Sequence, residues 1–198
     1  MTDPGSDDRD REDMARLAAG HDPALNDLMD RHGQRLFHYL FRQLSNETDA
    51  ADLTQETFVK VYQNRAGFDP ARKFSTWLYT IATNLVRDRF RWRKRHPEVS
   101  IDAARDDTGS ILDALPDGEA SPSEKIAAAE RADEVRKAIE SLPADLRSAL
   151  ILFEYEGLAQ AEIGSVLDCT AKAVENRLYR ARGLLRKNLA GIPIEGWK

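Results

Sequence analysis

The chain has 198 residues, of which 41% are hydrophobic and 32% charged, with a net charge of −5 and a mean hydropathy of −0.57. This length holds one medium domain or two small ones, and so much charge favours two helical modules. A single cysteine excludes an intramolecular disulfide. No apolar run reaches the ~20 residues of a membrane-spanning helix, and the acidic N-terminus is unlike a signal peptide. We therefore expect a cytoplasmic protein without membrane insertion.

Charge is distributed unevenly along the chain, and its placement matters more for binding than its sum. Residues 87–95 and 170–187 each carry a local balance of +5, whereas residues 97–124 carry −7 and the first thirteen residues carry −4. The two basic segments are therefore candidate nucleic-acid-binding surfaces, although the whole chain is acidic.

The first half of the chain is predicted to be helical after a disordered, acidic N-terminus over residues 1–14. Periodic apolar residues, capping residues and helix breakers predict the following elements: a helix from Pro23 to Leu44, a second over 49–65, a loop over 66–74, and a third that Ser75 caps and that ends before Pro97.

A second helical module is predicted after a flexible acidic linker over residues 97–122, which is rich in proline and aspartate. Ser121-Pro122-Ser123-Glu124 has the pattern of a capping box with proline in the first turn. The predicted helices of this module run from there to about Ser141, then over 144–155, 159–167 and 171–188, with a tail at 191–198.

Residues 160–178 have the layout of a helix-turn-helix. Gly164 is small where the two helices must cross closely, and Thr170 can cap the second helix. Asp168 stands at the turn position that glycine usually occupies, and aspartate tolerates a positive φ better than most residues. The second helix would enter the major groove of duplex DNA. The alternative is a helical hairpin with a solvated basic face.

Residues 73–95 interleave aromatic side chains with arginines. Basic groups attract the DNA backbone, and flat rings allow unpaired bases to stack, so this segment suits separated strands. Phe74 and Trp77 are as well explained by the core as by DNA contact. Tyr79 and Asn84 are expected to be exposed.

Two long segments resemble the extracytoplasmic-function (ECF) sigma factor family. LTQETFVKVYQ at 53–63 and KFSTWLYTIATNLVRDRFR at 73–91 resemble its second region, and residues 142–186, including RLYRAR, resemble its fourth. The resemblance implies an all-α fold of two small domains on a flexible acidic linker. Residues 15–96 would be sigma region 2, and residues 123–190 would be sigma region 4 with its helix-turn-helix.

What the family implies about partners is carried over residue by residue. Contacts with the β′ clamp helices of core RNA polymerase would involve Asp49, Asp52, Gln55 and Glu56, and the β flap of the polymerase is a further expected partner. The melted strand at the −10 element would be bound by Lys73, Phe74, Ser75, Trp77, Tyr79, Asn84, Arg87 and Arg91. The −35 duplex would be read by Thr170, Lys172, Glu175, Asn176, Arg177, Tyr179, Arg180 and Arg182. An anti-sigma factor is a further expected partner.

The sequence departs from the family pattern at the turn residue Asp168, at Ala159, where serine or threonine is common, and at Glu175-Asn176, which replaces a basic residue and a serine. The last pair leaves the −35 sequence open. Cys169 is interpreted as a structural residue of the turn, and a redox role is the alternative.

Two other functions are considered. A stand-alone regulator would bind duplex DNA without polymerase, but it leaves the aromatic and basic stretch unexplained. A helical enzyme could hold a metal with Asp49, Asp52 and Glu56, but the sequence supplies no nucleophile or phosphate loop. We expect no enzymatic activity, metal, cofactor or small-molecule substrate.

Overall fold

The computed structural model describes residues 6–96 and 122–190, with side chains in the second range from residue 130 onward. All regular structure in these ranges is helical, as predicted. The helices are α1 (Ser6–Ala18), α2 (Ala24–Leu44), α3 (Glu47–Gln63), a 3₁₀ turn (Arg65–Gly67), α4 (Phe74–Arg95), α5 (Pro122–Glu140), α6 (Ala144–Glu154), α7 (Gln160–Leu167) and α8 (Ala171–Asn188). The predicted linker, apart from Pro122, and the predicted tail lie outside the described residues.

Helix α2 is the centre of the first module (residues 6–96) and packs on α1, α3 and α4. Its buried leucines include Leu28, Leu36 and Leu40, which share one face because they lie four and eight residues apart. Ser45 ends α2 with a φ of 53°. The Asn46 side chain then caps α3 by accepting a hydrogen bond from the Asp49 amide at 2.8 Å, so α3 begins two residues before the predicted start.

The second module (residues 122–190) is built around α8, which packs on α5, α6 and α7. The buried residues of α8 (Val174, Leu178, Ala181 and Leu185) recur at three- and four-residue steps and form a single apolar stripe. Helix α6 is buried without interruption from Ser148 to Leu152, because it lies between its own module and α2. None of the helices in the described ranges is long and apolar enough to cross a bilayer.

The N-terminus differs from its prediction, because residues 6–14 belong to α1 and are ordered rather than disordered. Met14 and Leu17 pack into the core, and Asp10 and Asp13 are buried beside them. Arg31 of α2 neutralises both carboxylates, and its Nε lies 3.0 Å from Asp10 Oδ1. The wrong prediction has a physical cause. The sequence of α1 is as acidic as that of a solvated tail, and the basic residue that neutralises its aspartates lies on another helix, where a local pattern does not show it.

Helix α4 also begins differently from the prediction. It starts at Phe74 with Lys73 as N-cap and without any side-chain cap, so the predicted capping role of Ser75 is wrong. Phe74 is buried, with its ring 5.0 Å from that of His32 on α2. This packing fixes the first turn. The helix ends at Arg95, before Pro97, as predicted.

The two modules pack against each other. Helices α2 and α4 of the first module contact α6 and α7 of the second. One edge of the contact is a pair of polar bonds, in which Arg147 donates to the Gln43 carbonyl at 3.0 Å and Ser148 Oγ donates to Gln43 Oε1 at 3.2 Å. The other edge is centred on Glu156, at the turn after α6.

Candidate nucleic-acid interface

Helices α7 and α8 form the predicted helix-turn-helix. Asp168 ends α7 with a φ of 55°, so aspartate does adopt the left-handed conformation predicted for the turn. Gly164 lies where α7 meets the chain entering α8. A Cβ on Gly164 would be 2.6 Å from the Cys169 carbonyl oxygen, which is closer than a non-bonded carbon and oxygen can approach. The close crossing predicted for this glycine is confirmed.

The first turn of α8 is fixed by Thr170, whose Oγ1 accepts a hydrogen bond from the Ala173 amide at 3.2 Å, as predicted. Beyond this cap, one side of the helix points into solvent, and Tyr179 is 76% exposed. Lys172 and Glu175 form an ion pair on it, with Nζ 2.9 Å from Oε2. We call this side the recognition face; its exposed residues are Lys172, Glu175, Asn176, Tyr179 and Arg180.

Two arginines of α8 that are predicted to contact DNA form ion pairs with carboxylates of their own module. Arg177 lies 3.8 Å from the Asp145 carboxylate and 3.3 Å from the sulfur of Cys169, which is half-buried. Arg182 pairs with Glu154 at 2.8 Å. Both guanidinium groups therefore brace the helix-turn-helix, which is a structural role that the sequence did not indicate.

Helix α7 carries an incomplete N-terminal cap. Ala159 has the extended backbone of an N-cap residue but no side-chain oxygen, whereas Glu162 completes its half of a capping box by accepting from the Ala159 amide at 2.8 Å. We expect Ala159→Ser to raise the free energy of unfolding by about 1 kcal/mol, because the hydroxyl satisfies a free amide of the first turn. Urea denaturation followed by circular dichroism measures the change.

The control is Ala161→Ser, two residues further along the chain and also exposed. There a serine has no capping role and lowers the free energy of unfolding by about 0.5 kcal/mol through its weaker helix propensity. Equal effects of the two serines would contradict the capping argument.

The predicted −10 residues are only partly exposed. Phe74 is 1% exposed and Tyr79 is 4% exposed, so the prediction that Tyr79 is exposed is wrong, and Phe74 is a core residue. Trp77 is half-buried, with its ring 5.2 Å from that of Phe68. Ser75 is also half-buried, whereas Asn84 and Arg91 are exposed, as predicted for Asn84.

The hydroxyl of the buried Tyr79 donates a hydrogen bond to the carboxylate of Glu156 in the second module. Burial raises the pKa of the Glu156 carboxyl and, together with the charge of Glu156, raises the pKa of the Tyr79 phenol. Arg35 approaches the same carboxylate at 3.6 Å. Neither Glu156 nor Arg35 was singled out from the sequence, since the contact joins residues 77 and 121 positions apart.

Two basic residues of the predicted −10 set also contact the second module. Lys73 Nζ lies 3.1 Å from Glu162 Oε1, and this partner raises the pKa of the Lys73 ammonium. Arg87 donates to the Leu167 carbonyl at 3.1 Å. The structure therefore brings Lys73, Tyr79 and Arg87 together at the contact between the modules, apart from the exposed Arg91.

The four predicted polymerase-binding residues of α3 divide into two groups. Asp52, Gln55 and Glu56 are exposed, and Val59, which the prediction omitted, extends their surface with 51% exposure. Spacings of three and four residues place them on one side of the helix. Asp49 instead pairs with Arg89, 2.6 Å away, and with Arg93, so it ties α3 to α4. Within the described ranges, no group of three or more metal-binding side chains exists.

Comparisons with known proteins agree with this architecture. The family model for Sigma-70 region 2 matches residues 28–96, and that for Sigma-70 region 4 matches residues 132–185. The ECF RNA polymerase sigma factor SigW of Bacillus subtilis is 32% identical over 90% of this chain and 96% of its own. CarQ, an RNA polymerase sigma factor of Myxococcus xanthus, is 34% identical over 92% of this chain and 98% of its own.

Solved structures give the same result. CnrH, in complex with the cytosolic domain of CnrY, is similar with a TM-score of 0.67 and 28% identity, over 93% of this chain and 99% of that chain. The sigma factor RpoE of Bartonella quintana, in complex with the anti-sigma factor NepR, shares the fold with a TM-score of 0.67 at 22% identity, over 86% of this chain and 99% of that chain. The fold and the helix-turn-helix define a transcription initiation factor of the sigma-70 type. Within that class, the chain belongs to the ECF RNA polymerase sigma factors.

Proposed function

We propose that the protein binds core RNA polymerase, recognises the −10 and −35 elements of its promoters and promotes strand opening, without covalent chemistry of its own. Residues 15–96 act as region 2 and residues 123–190 as region 4. Each module reads DNA weakly, and the linker and the polymerase combine the two contacts at promoter spacing. The recognition face of α8 is the observation that carries this proposal.

The −35 element is read by the recognition face in the major groove. Its side chains face solvent, since Tyr179 and its neighbours project from a helix that Thr170 and Gly164 fix in place. Base contacts by Lys172 and Glu175 require their mutual ion pair to open. Asparagine pairs with adenine, arginine with guanine and glutamate with the amino group of cytosine. Glu175 and Asn176 thus give this protein its own −35 preference.

Core polymerase is bound through the exposed side of α3, where Asp52, Gln55 and Glu56 face solvent beside Val59. Acidic and amide groups around one apolar residue suit the basic rim and apolar centre of a docking site. The second module contacts the β flap. Asp49 contributes indirectly, since its ion pairs with α4 hold α3 in position.

An anti-sigma factor is a further proposed partner. The support is that similar solved structures include sigma factor RpoE bound to the anti-sigma factor NepR, and CnrH bound to CnrY. Such an inhibitor would cover the surfaces used for polymerase or promoter binding.

Run-off transcription tests the proposed function. Purified bacterial core polymerase is incubated with a genomic fragment library, with and without the protein. Start sites that appear only with the protein, and that share two upstream elements, establish the function. If no transcripts appear and the protein alone shifts duplex DNA, the stand-alone regulator replaces it.

On a promoter mapped in this way, we expect Asn176→Ala to reduce run-off about tenfold, because a lost bidentate base contact costs about 1–3 kcal/mol. The loss should be confined to promoters that carry the preferred base at the contacted −35 position. Lys187→Ala, at an exposed position in the last turn of α8, should weaken all −35 sequences alike. Equal losses on every promoter for both variants would contradict base reading by Asn176.

A further inference from the structure

The connection from the 3₁₀ turn to α4, which we call the entry loop (residues 68–73), leads directly into the predicted −10 residues at the start of α4. It contains a tight turn over residues 69–72. The Arg72 amide donates to the Asp69 carbonyl at 3.0 Å, and the Ala71 amide donates to Asp69 Oδ1 at 2.9 Å. Aspartate followed by proline favours such a turn, so the internal shape of the loop follows from its own sequence.

The orientation of the entry loop on the first module depends on contacts with other elements, because residues 69–73 are exposed. At the start of the loop, the half-buried Phe68 ring lies 6.1 Å from the ring of Phe74 and 5.2 Å from that of Trp77. This aromatic cluster anchors the loop to α4. One anchored end leaves the exposed turn able to pivot, so a second contact is needed to fix its direction.

Helix α1 supplies a second contact. Arg11 Nε donates to the Pro70 carbonyl at 3.1 Å, although the two residues are 59 positions apart. Asp8, one turn earlier in α1, lies 2.5 Å from the Arg11 guanidinium and restrains it. Asp7, four residues before Arg11 and on the same side of the helix, lies 3.7 Å from the Lys73 ammonium. Two charged residues of α1 thus contact the entry loop, one at its turn and one at its last residue.

Helix α1 is itself fixed to the module. Leu17 is buried in the core, and Arg31 Nε of α2 lies 3.0 Å from the buried Asp10. An exposed hydrogen bond such as that from Arg11 to Pro70 orders a loop best when its donor comes from a fixed element, since less conformational freedom is then lost. The fixed position of α1 therefore determines the orientation of the entry loop.

We propose that α1 orients the entry loop for reading of the −10 element, and that Arg11 is the positioning residue of this contact. The inference rests on the proposed function, which assigns Lys73, Ser75 and Trp77 at the start of α4 to the −10 strand. Contacts that discriminate between bases tolerate a misplacement of only about 0.5 Å. An entry loop that pivots therefore lowers the preference for the matched −10 element, whereas polymerase binding through α3 and −35 reading through α8 stay unchanged.

The test compares Arg11→Met, which keeps an unbranched side chain but has no donor, with Arg11→Lys, which keeps both a donor and the charge. The control is Arg16→Met, because Arg16 also lies on α1 but pairs with Asp13 and Asp27 instead of the loop. Run-off by the holoenzyme is measured on a mapped promoter and on copies with single substitutions in the −10 or the −35 element. In the free full-length chain, hydrogen–deuterium exchange read by mass spectrometry reports the mobility of residues 66–73.

For Arg11→Met we expect faster exchange in residues 66–73. The preference for the matched −10 element should fall about fivefold, which is the factor that one hydrogen bond of ordinary strength supplies. The preference for the matched −35 element should not change. Arg11→Lys should retain most of the −10 preference, and Arg16→Met should retain all of it.

Three results would overturn the proposal. They are exchange in the entry loop that Arg11→Met leaves unaltered, faster exchange without any loss of −10 preference, and equal losses of preference for the −10 and −35 elements. The exchange measurement needs neither polymerase nor promoter. A failure of the unaltered protein to give run-off refutes the proposed function itself, and is therefore distinguished from a failure of the Arg11 contact.

Discussion

Replacing Gly164 with alanine is expected to lower the free energy of unfolding by about 2 kcal/mol, because the clash of the new Cβ outweighs the gain in helix propensity. The Cβ would lie 2.6 Å from the Cys169 carbonyl oxygen. That oxygen belongs to the backbone of the turn, so relief requires α7 and α8 to move apart. Urea denaturation followed by circular dichroism measures the loss, and run-off from a −35-dependent promoter should fall with it.

The matched control for this glycine is Gly183→Ala within α8, where an added Cβ has no neighbour within 4 Å. There the substitution only improves helix propensity and should raise the free energy of unfolding by about 1 kcal/mol. Changes of opposite sign in the free energy of unfolding at the two positions support the close crossing of the helix-turn-helix. If Gly164→Ala stabilised the protein as Gly183→Ala does, the crossing would be looser than the structure shows.

The second large effect is expected at Arg31. Replacing it with methionine leaves the Asp10 and Asp13 carboxylates without their shared guanidinium, although both are buried. Removing one partner of a buried ion pair costs about 3–5 kcal/mol, because the remaining charge is uncompensated. We expect a loss of about 3 kcal/mol, at the lower end of that range, since the His32 ring still lies 2.9 Å from Asp10. Chemical denaturation at neutral pH measures it.

Arg16→Met is the control for the same chemistry at the surface. Arg16 also pairs with Asp13, at 2.9 Å, but its side chain is 43% exposed, against 25% for Arg31, so the loss should be at most about 1 kcal/mol. Adding Asp10→Leu to Arg31→Met should recover part of the stability, because it removes the uncompensated charge. Similar losses for Arg16 and Arg31 would show that this buried network does not stabilise α1, and would support the disordered N-terminus predicted from the sequence.

The features that the sequence predicts correctly are local. Apolar spacing and capping residues indicate all helices from α2 to α8, most of them within two residues of their bounds. The helix-turn-helix is equally local, since Gly164, Asp168 and Thr170 lie within seven residues of one another. Gly164 allows a close crossing, Asp168 adopts a positive φ and Thr170 caps a helix. Each of these roles depends on nearby residues, so a local sequence pattern can predict it.

The features that the sequence misses depend on distant partners. Helix α1 is stable because its aspartates meet Arg31, and the buried Tyr79 donates a hydrogen bond to Glu156 in the other module. A helical tyrosine has the same sequence pattern whether its hydroxyl faces solvent or a second module. Arg177 and Arg182 show the same limit, as the carboxylates that hold them come from α6.

The ion pairs made by arginines of the basic stretch 87–95 alter the salt dependence expected for the strand binding that we propose. Arg89 and Arg93 already pair with Asp49, and Arg91 pairs with Asp88. An arginine that remains paired with a carboxylate neutralises less phosphate charge, so fewer condensed counterions are released from the DNA strand on binding. Each phosphate neutralised on a single strand contributes about 0.7 to the slope of log affinity against log salt. Binding by this helix should therefore weaken with added salt less steeply than its six basic residues would imply.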